Sequence, residues 1–327
     1  MEKKRVLITG INGQDGSYLA EFLIGKDYEV FGTVKRNSVS ENQTSRLGSV
    51  YDQIKNNLIY ADLLDVPSLL HALKIADPCE VYNLAAQSHV RISFDQPIYT
   101  AQTTGIGTLN LLEAVRIYNP KIRMYQASSS EMFGNNIDPD GYQRETTPMN
   151  PVSPYGCAKV FSYNICRNYR NSYGIYVSNG ILFNHESPRR GTNFVTNKVA
   201  KAAVEIKMGL KKELVLGNLN ASRDWGHARD YVKAMWMILQ QEAPDDFVCS
   251  TGVSHTVQYL VEYVFGKLDL DWNEYVKTDQ KFLRPEELKD LKGDSTKLRD
   301  KTGWVEEYTF ETMMDEMVQH WLNHYKK

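Results

Sequence analysis

Along the first half of the chain, short apolar runs rich in β-forming residues alternate with longer stretches in which apolar side chains recur every three or four positions. The short runs are Arg5–Thr9, Glu29–Val34, Leu58–Ala61, Glu80–Leu84, Ile122–Ala127 and Tyr176–Leu182. Between them Ser17–Ile24, Val66–Ile75 and Gly105–Ile117 carry the helical spacing. Pro67 falls in the first turn of its helix, where its missing N–H costs nothing. This alternation predicts βαβ units on a parallel sheet. Beyond about Asn184 the pattern loosens into loops rich in Pro, Gly, Arg and Asn, interleaved with helices at Asn193–Met208, Asp230–Gln241, Thr256–Gly266 and Thr309–Tyr325. Asp230 is a candidate N-cap. No repeat or low-complexity segment occurs. The expected architecture is α/β: a Rossmann-type doubly wound parallel sheet over residues 1–183, then a smaller, mixed substrate domain over 184–327, with an interleaved boundary.

Composition narrows the class. Hydrophobic residues make up 42% and charged residues 24%, the balance of a globular protein, and 327 residues can bury a large core without staples. A formal net charge of −2 gives no global basic field, so neither nucleic acid nor an anionic membrane is an expected partner. Cys79, Cys157, Cys166 and Cys249 lack metal-ligand spacing and read as small buried hydrophobes, with no metal expected. The apolar run after Met1-Glu2-Lys3-Lys4 is too short for a signal peptide and no later run is long enough to span a bilayer, so the expected location is cytoplasmic.

The first strand runs into Thr9-Gly10-Ile11-Asn12-Gly13-Gln14-Asp15-Gly16, a GxxGxxG turn that opens a helix. Glycines there let the backbone approach a pyrophosphate, and the helix N-terminus offers amides and partial positive charge. The second strand ends at Val34-Lys35-Arg36. An acid would suit free ribose hydroxyls, whereas Arg36 suits a 2′-phosphate, which points to NADP; a solvated surface charge is the alternative. Asp62 and Leu63, after the third strand, are placed to border the adenine. Leu84-Ala85-Ala86-Gln87-Ser88, after the fourth, leaves room for the cofactor, as would any tight strand–helix corner.

Tyr155 and Lys159 stand four residues apart, on one face of a helix that Ser153 can cap and Pro154 can open. An ammonium beside the phenol, with a cationic nicotinamide near, favours the phenolate and makes Tyr155 a usable base. An earlier strand ends in Gln126-Ala127-Ser128-Ser129-Ser130-Glu131. Hydroxyls there can share a proton with Tyr155. A simple dehydrogenase needs only hydroxyl, tyrosine and lysine, so Glu131 implies a second proton transfer. Its alternative role is a helix-start acid.

The glycine turn, the Ser-Ser-Ser-Glu segment and YxxxK resemble the extended short-chain dehydrogenase/reductases. Within them, Gly13-Gln14-Asp15-Gly16-Ser17-Tyr18-Leu19, Asn83-Leu84-Ala85-Ala86-Gln87-Ser88-His89-Val90, Gly180 to Gly191 (containing Asn184-His185-Glu186-Ser187-Pro188-Arg189-Arg190-Gly191) and Arg223-Asp224-Trp225-Gly226-His227-Ala228 resemble the GDP-mannose 4,6-dehydratase family over almost the whole chain. The resemblance implies an internal redox dehydration of a GDP-manno sugar. Tyr155 takes the C4 hydroxyl proton as hydride passes to NADP⁺; Glu131 then takes the acidified C5 proton and helps the C6 hydroxyl leave as water. Hydride returns to C6. It also implies that Tyr99, Lys159, His185 and Arg190 contact the cofactor, that Ser88 serves both ligands, and that Asn184, Lys198, Arg223, Arg284 and Glu287 hold the nucleotide. A homo-oligomer, dimer or tetramer, is implied as well. Ser129 stands where the family usually has threonine. Asn37–Leu47, where the family builds subunit contacts, and Asp269–Lys277 depart from its sequence. A GDP-manno-heptose is therefore an alternative substrate, and a 4-keto-sugar reductase or epimerase on the same fold an alternative activity.

Overall fold

The structure is a computed structural model that describes residues 3–36, 44–282 and 286–326. In chain order the strands are β1 (Arg5–Thr9), β2 (Glu29–Val34), β3 (Leu58–Tyr60), β4 (Glu80–Asn83), β5 (Arg123–Ser129), β6 (Val177–Leu182), β7 (Asn184–Glu186), β8 (Leu214–Leu216), β9 (Ser222–His227), β10 (Asp246–Cys249), β11 (Ser254–Thr256), β12 (Val276–Thr278) and β13 (Asp290–Leu291). Seven of them form one parallel sheet in the order β10-β6-β5-β4-β1-β2-β3. Strand order reverses between β1 and β4, so a crevice opens outside their carboxyl ends, the place where such sheets bind ligands.

Alternation along the strands supplies both layers. Val6 and Ile8 of β1 face the helices Gln14–Gly25 and Ala228–Leu239, while Leu7 faces the helices Val66–Ala76, Gly107–Tyr118 and Pro154–Tyr173. Six strands fall where the apolar runs predict them. The seventh, β10, does not, because Pro244-Asp245-Asp246 reads as a turn. Asp246 is nonetheless buried, held by Arg170 and Asn179 at 2.5 and 2.8 Å. The sheet therefore continues past residue 183: the chain leaves it after β6 and returns through Ala228–Leu239 and β10.

The helix expected from Asp230 starts at Ala228, and its N-cap is His227, whose Nδ1 accepts the Arg229 N–H at 3.0 Å. Asp230 lies inside the first turn and faces the core. Its carboxylate accepts the N–H groups of Glu307 and Tyr308 at 3.0 and 3.1 Å, and its carbonyl accepts the Trp304 indole N–H at 2.9 Å. Pro67 opens its helix as expected. Before Gly107 the chain is already helical from Pro97, with a wider π-type turn at Ala101–Ile106. Cys166 and Cys249 are buried, but Cys79 and Cys157 are exposed, contrary to the sequence expectation.

The second lobe gathers β9 with β7, β11 and β13. The helices Val195–Lys207, Val257–Gly266 and Phe310–Tyr325 pack together through Val199, Ala203, Leu260, Val264, Met313 and Met317. A smaller cluster, Met132, Phe133, Phe183, Leu288 and Leu291, seats this lobe on the carboxyl ends of β5 and β6.

Removing the Asp230 carboxylate takes the acceptor from two part-buried N–H groups, those of Glu307 and Tyr308. Asp230→Ala is expected to cost about 1–3 kcal/mol of stability in urea unfolding. An unchanged midpoint would show that these groups find other partners.

Candidate active site

Two adjoining clefts occupy the switch point. At the first, Gly10 turns the chain with φ +66°, and a side chain there would press on the Ala85 backbone at 3.0 Å. Gly16 lies so close to the Gly10 carbonyl and the Ile11 backbone that no Cβ fits. The following helix starts at Gln14, and its N-cap, Gly13, brings no side-chain cap. The positive end of the helix dipole is thus left to a ligand. Gly10, Asn12, Gly13, Gln14, Asp15 and Gly16 line this cleft of about 300 Å³ on one side. Asp62, Leu63, Leu84, Ala85, Ala86, Ser88, Tyr99 and Arg190 line the others. A glycine cradle, an uncapped helix start and small walls fit a dinucleotide.

Two predicted cofactor residues, Arg36 and Gln87, line neither cleft, while Lys159 and His185 line the second rather than the first. The Arg36 guanidinium leans on Tyr60, 5.5 Å from the ring centre, with Nη1 donating to the phenol oxygen at 3.3 Å. Gln87 spends its amide on the His89 carbonyl and the Thr100 hydroxyl, at 3.2 and 3.0 Å. Of the two neighbouring cations, the one that lines the cleft is Lys35, with Nζ on Asp62 at 3.0 Å and on the Tyr99 oxygen at 3.2 Å. The sequence signal for Lys35 was its place beside Arg36, both just past the end of β2.

Asp15, Leu84, Ser88 and Arg190 also border the second cleft, of about 380 Å³, so the two sites meet. Ser129, Glu131, Tyr155 and Lys159 all line it, and all four are buried. Ser129 ends β5 and caps the short turn Ser130–Met132, its Oγ accepting the Glu131 N–H at 3.2 Å. Ser153 caps the Pro154–Tyr173 helix as expected, which sets Tyr155 in its first turn. Burial pushes the Tyr155 phenol up to about 12; a hydrogen bond with Ser129 and the nearby Arg190 charge work against the rise, and Glu131 and Asp15 add to it. Lys159 does not touch the phenol oxygen. Its Nζ lies 5.7 Å from the Tyr155 ring centre and donates to the Ala127 carbonyl at 2.6 Å. Burial brings this ammonium down to about 8. The protein groups alone therefore do not produce the phenolate that the Tyr-Lys spacing suggests.

Asn184, Lys198, Arg223 and Glu287 line the far end of the same cleft, and Arg284 lies outside the described residues. Lys198 donates to the Val215 carbonyl at 2.7 Å, while burial and the charges of Lys211 and Lys281 lower its affinity for the proton. Arg223 donates to the Ser222 and Leu288 carbonyls at 2.7 and 3.1 Å. Lys281, which the sequence reading did not select, adds a further cation to this end. Such a group of cations suits a diphosphate. Among the described residues, no cluster of His, Cys, Asp and Glu could hold a metal ion, and no helix is long and apolar enough to cross a membrane.

His185 joins the glycine turn to β7. Its Nδ1 faces the Phe183 carbonyl at 2.8 Å and its Nε2 faces the Asp15 carboxylate at 2.7 Å, with Tyr231 stacked on the ring at 4.6 Å. A carbonyl and a carboxylate only accept, so the ring carries both protons. Burial opposes that charge, but the attraction and hydrogen bond of Asp15 outweigh it and raise His185 above its ordinary value. For Asp15, burial is likewise outweighed, here by His185, and the carboxyl is lowered.

A seven-stranded parallel sheet with a glycine turn and a buried Tyr-Lys pair at its switch point defines an extended short-chain dehydrogenase/reductase fold. The family model described as GDP-mannose 4,6 dehydratase matches residues 7–317. GDP-mannose 4,6 dehydratase 2 of Arabidopsis thaliana is 50% identical over 326 residues, covering 97% of this chain and 86% of that one. The chain belongs to the GDP-mannose 4,6-dehydratase family. Solved structures share the fold at lower identity. The dTDP-glucose 4,6-dehydratase of Bacillus anthracis in complex with NAD has a TM-score of 0.84 at 23% identity over 99% of this chain and 98% of that one. RMD from Pseudomonas aeruginosa complexed with NADPH has a TM-score of 0.80 at 22% identity, over 98% and 100%.

The His185–Asp15 pair sets a pH dependence. With the folded-state value of His185 raised, its stabilisation is fully present below the unfolded value of about 6.5 and is lost as pH rises through the folded value. The difference in unfolding free energy between the parent and His185→Gln is therefore larger at about pH 6 than at about pH 9. A difference that is constant or grows with pH would mean that the ring is buried uncharged.

Proposed function

We propose that this protein dehydrates GDP-mannose to its GDP-4-keto-6-deoxy product, with NADP as the resident cofactor. The observation that carries the reading is the burial of Glu131 in the same cleft as Ser129, Tyr155 and Lys159. Oxidation at C4 alone needs the hydroxyl, the tyrosine and the lysine; a carboxylate beside them provides the second proton transfer that elimination requires. A reductase or epimerase would have no use for it.

The bound nicotinamide supplies a hydride acceptor at the start of the cycle and a hydride donor at its end, with no net redox change. Tyr155 takes the proton of the sugar C4 hydroxyl, with Ser129 bridging phenol and substrate. Lys159 and Arg190 supply the positive charge that makes a phenolate less costly. Once C4 is a ketone, Glu131 removes the acidified C5 proton and delivers a proton to the C6 oxygen, which leaves as water; Tyr155 or a relay then reprotonates C5 as C6 takes the hydride. Lys198, Arg223 and Arg284 hold the diphosphate, while Asn184, Glu287 and Ser88 orient the rest of the nucleotide sugar.

Lys35, which lines the cofactor cleft, with Arg36 the next residue in the chain, supports NADP over NAD, since a 2′-phosphate rewards positive charge. Exposed Ile98, Ile106 and Phe161 lie on neighbouring helical segments and support a homo-oligomer, dimer or tetramer. Unpaired cysteines suit a cytoplasmic setting.

Incubation with GDP-mannose and, separately, a GDP-manno-heptose, each with NADP⁺ or NAD⁺, tests the reading by mass spectrometry. The expected product is GDP-mannose less one water, formed fastest with NADP⁺ and carrying solvent deuterium at C5. A product that keeps its oxygen would overturn the dehydratase reading, and turnover of the heptose alone would move the substrate to that sugar.

A further inference from the structure

Within the sheet, two successive rows of facing residues on β1, β4 and β5 are Leu7, Val81 and Met124, then Ile8, Tyr82 and Tyr125. The next row is polar: Thr9, Asn83 and Gln126 stand opposite one another on β1, β4 and β5, and all three are buried. Placing three polar side chains between two apolar layers is costly unless each is hydrogen-bonded. Here each is, and every donor points the same way. The Thr9 hydroxyl donates to Asn83 Oδ1 at 2.7 Å, Asn83 Nδ2 donates to Gln126 Oε1 at 2.7 Å, and Gln126 Nε2 donates to the Ala127 carbonyl at 3.1 Å. That carbonyl is the one that receives Lys159 Nζ. At the other end Thr9 Oγ1 accepts the N–H groups of Leu84 and Ala85, both at 3.1 Å, from the wall of the cofactor cleft.

We infer that Gln126 is a positioning residue for Lys159. With Gln126 and Lys159 both donating to it, the Ala127 carbonyl has its two acceptor sites filled, so the glutamine amide fixes the direction in which the ammonium is held. The same ladder ties that direction to the Leu84–Ala85 backbone, so lysine and cofactor wall keep a constant spacing. The inference rests on the role of Lys159 in the proposed active site.

The test is a double-mutant cycle on the full chain, with Gln126→Leu made in the parent and in Lys159→Met. In the parent background Gln126→Leu is expected to lower kcat with GDP-mannose about 10-fold and to raise the Kd for NADP⁺ about 5-fold, with KM for GDP-mannose within about 2-fold. In the Lys159→Met background the same change should move the NADP⁺ Kd by less than about 2-fold. Thr9→Val, which loosens the ladder from its far end, should show a smaller effect with the same dependence on Lys159, and it decides the matter if Gln126→Leu does not fold. The calorimetric NADP⁺ titrations need no turnover, so they test the ladder even if GDP-mannose is not the substrate. Equal changes in both backgrounds would reduce Gln126 to a sheet-packing residue and overturn the inference.

Discussion

A charged ammonium held away from water is the constraint around which this molecule is arranged. Lys159 keeps a bond to the Ala127 carbonyl at 2.6 Å, yet burial still lowers its hold on the proton to about 8. Beside it, the same dryness drives Tyr155 up to about 12. One cause, the absence of solvent, pushes the two groups in opposite directions, each toward its uncharged form. Bringing the phenol into working range requires positive charge next to it. Arg190 already acts in that direction, and an oxidised nicotinamide in the adjoining cleft would act further. On this account the phenolate is available only when the cofactor is in place, which links proton removal to the presence of a hydride acceptor.

The fold provides that dry, crowded site by interleaving its two lobes. The helix bearing Tyr155 and Lys159 is pinned at its far half by Asp246, which accepts from Tyr163 at 3.1 Å and from Arg170 at 2.5 Å. Asp246 begins β10, a strand added to the sheet only after the chain has built part of the second lobe. On the opposite layer, Gln14 and Asp15 of the glycine turn are tied to Ser187 and His185, so the cofactor turn and the substrate strand move as one. Asp15, Ser88 and Arg190 face both clefts because of that join.

Local pattern was enough for most of the sheet and for the residues nearest the chemistry. Strand runs, the glycine turn, the Ser153 cap and the Tyr155/Lys159 spacing are each written in a few consecutive residues, and the structure brings Ser129, Glu131, Tyr155 and Lys159 into one cleft. What escaped depends on partners distant in sequence. Asp246 reads as loop until Arg170 and Asn179 neutralise and bury it. Asp230 reads as a cap until the segment ending at Tyr308 folds back onto it. His185 and Asp15 are 170 residues apart, and neither shows alone that it is half of a partly buried ion pair. Whether Lys35 or Arg36 enters the cleft depends on contacts with Asp62, Tyr99 and Tyr60, which lie far along the chain.

Glu131 separates dehydration from simple oxidation, and replacing it tests the account most directly. Glu131→Gln keeps the size of the side chain and leaves Tyr155, Lys159 and Ser129 to oxidise C4. When GDP-mannose is mixed with the NADP⁺-loaded variant, reduced-nicotinamide absorbance should rise and persist, with the sugar retaining its C6 oxygen and taking up hardly any deuterium at C5. Formation of the 6-deoxy product at the parent's rate would contradict the account and leave Glu131 as no more than the acid at the start of a short helical turn.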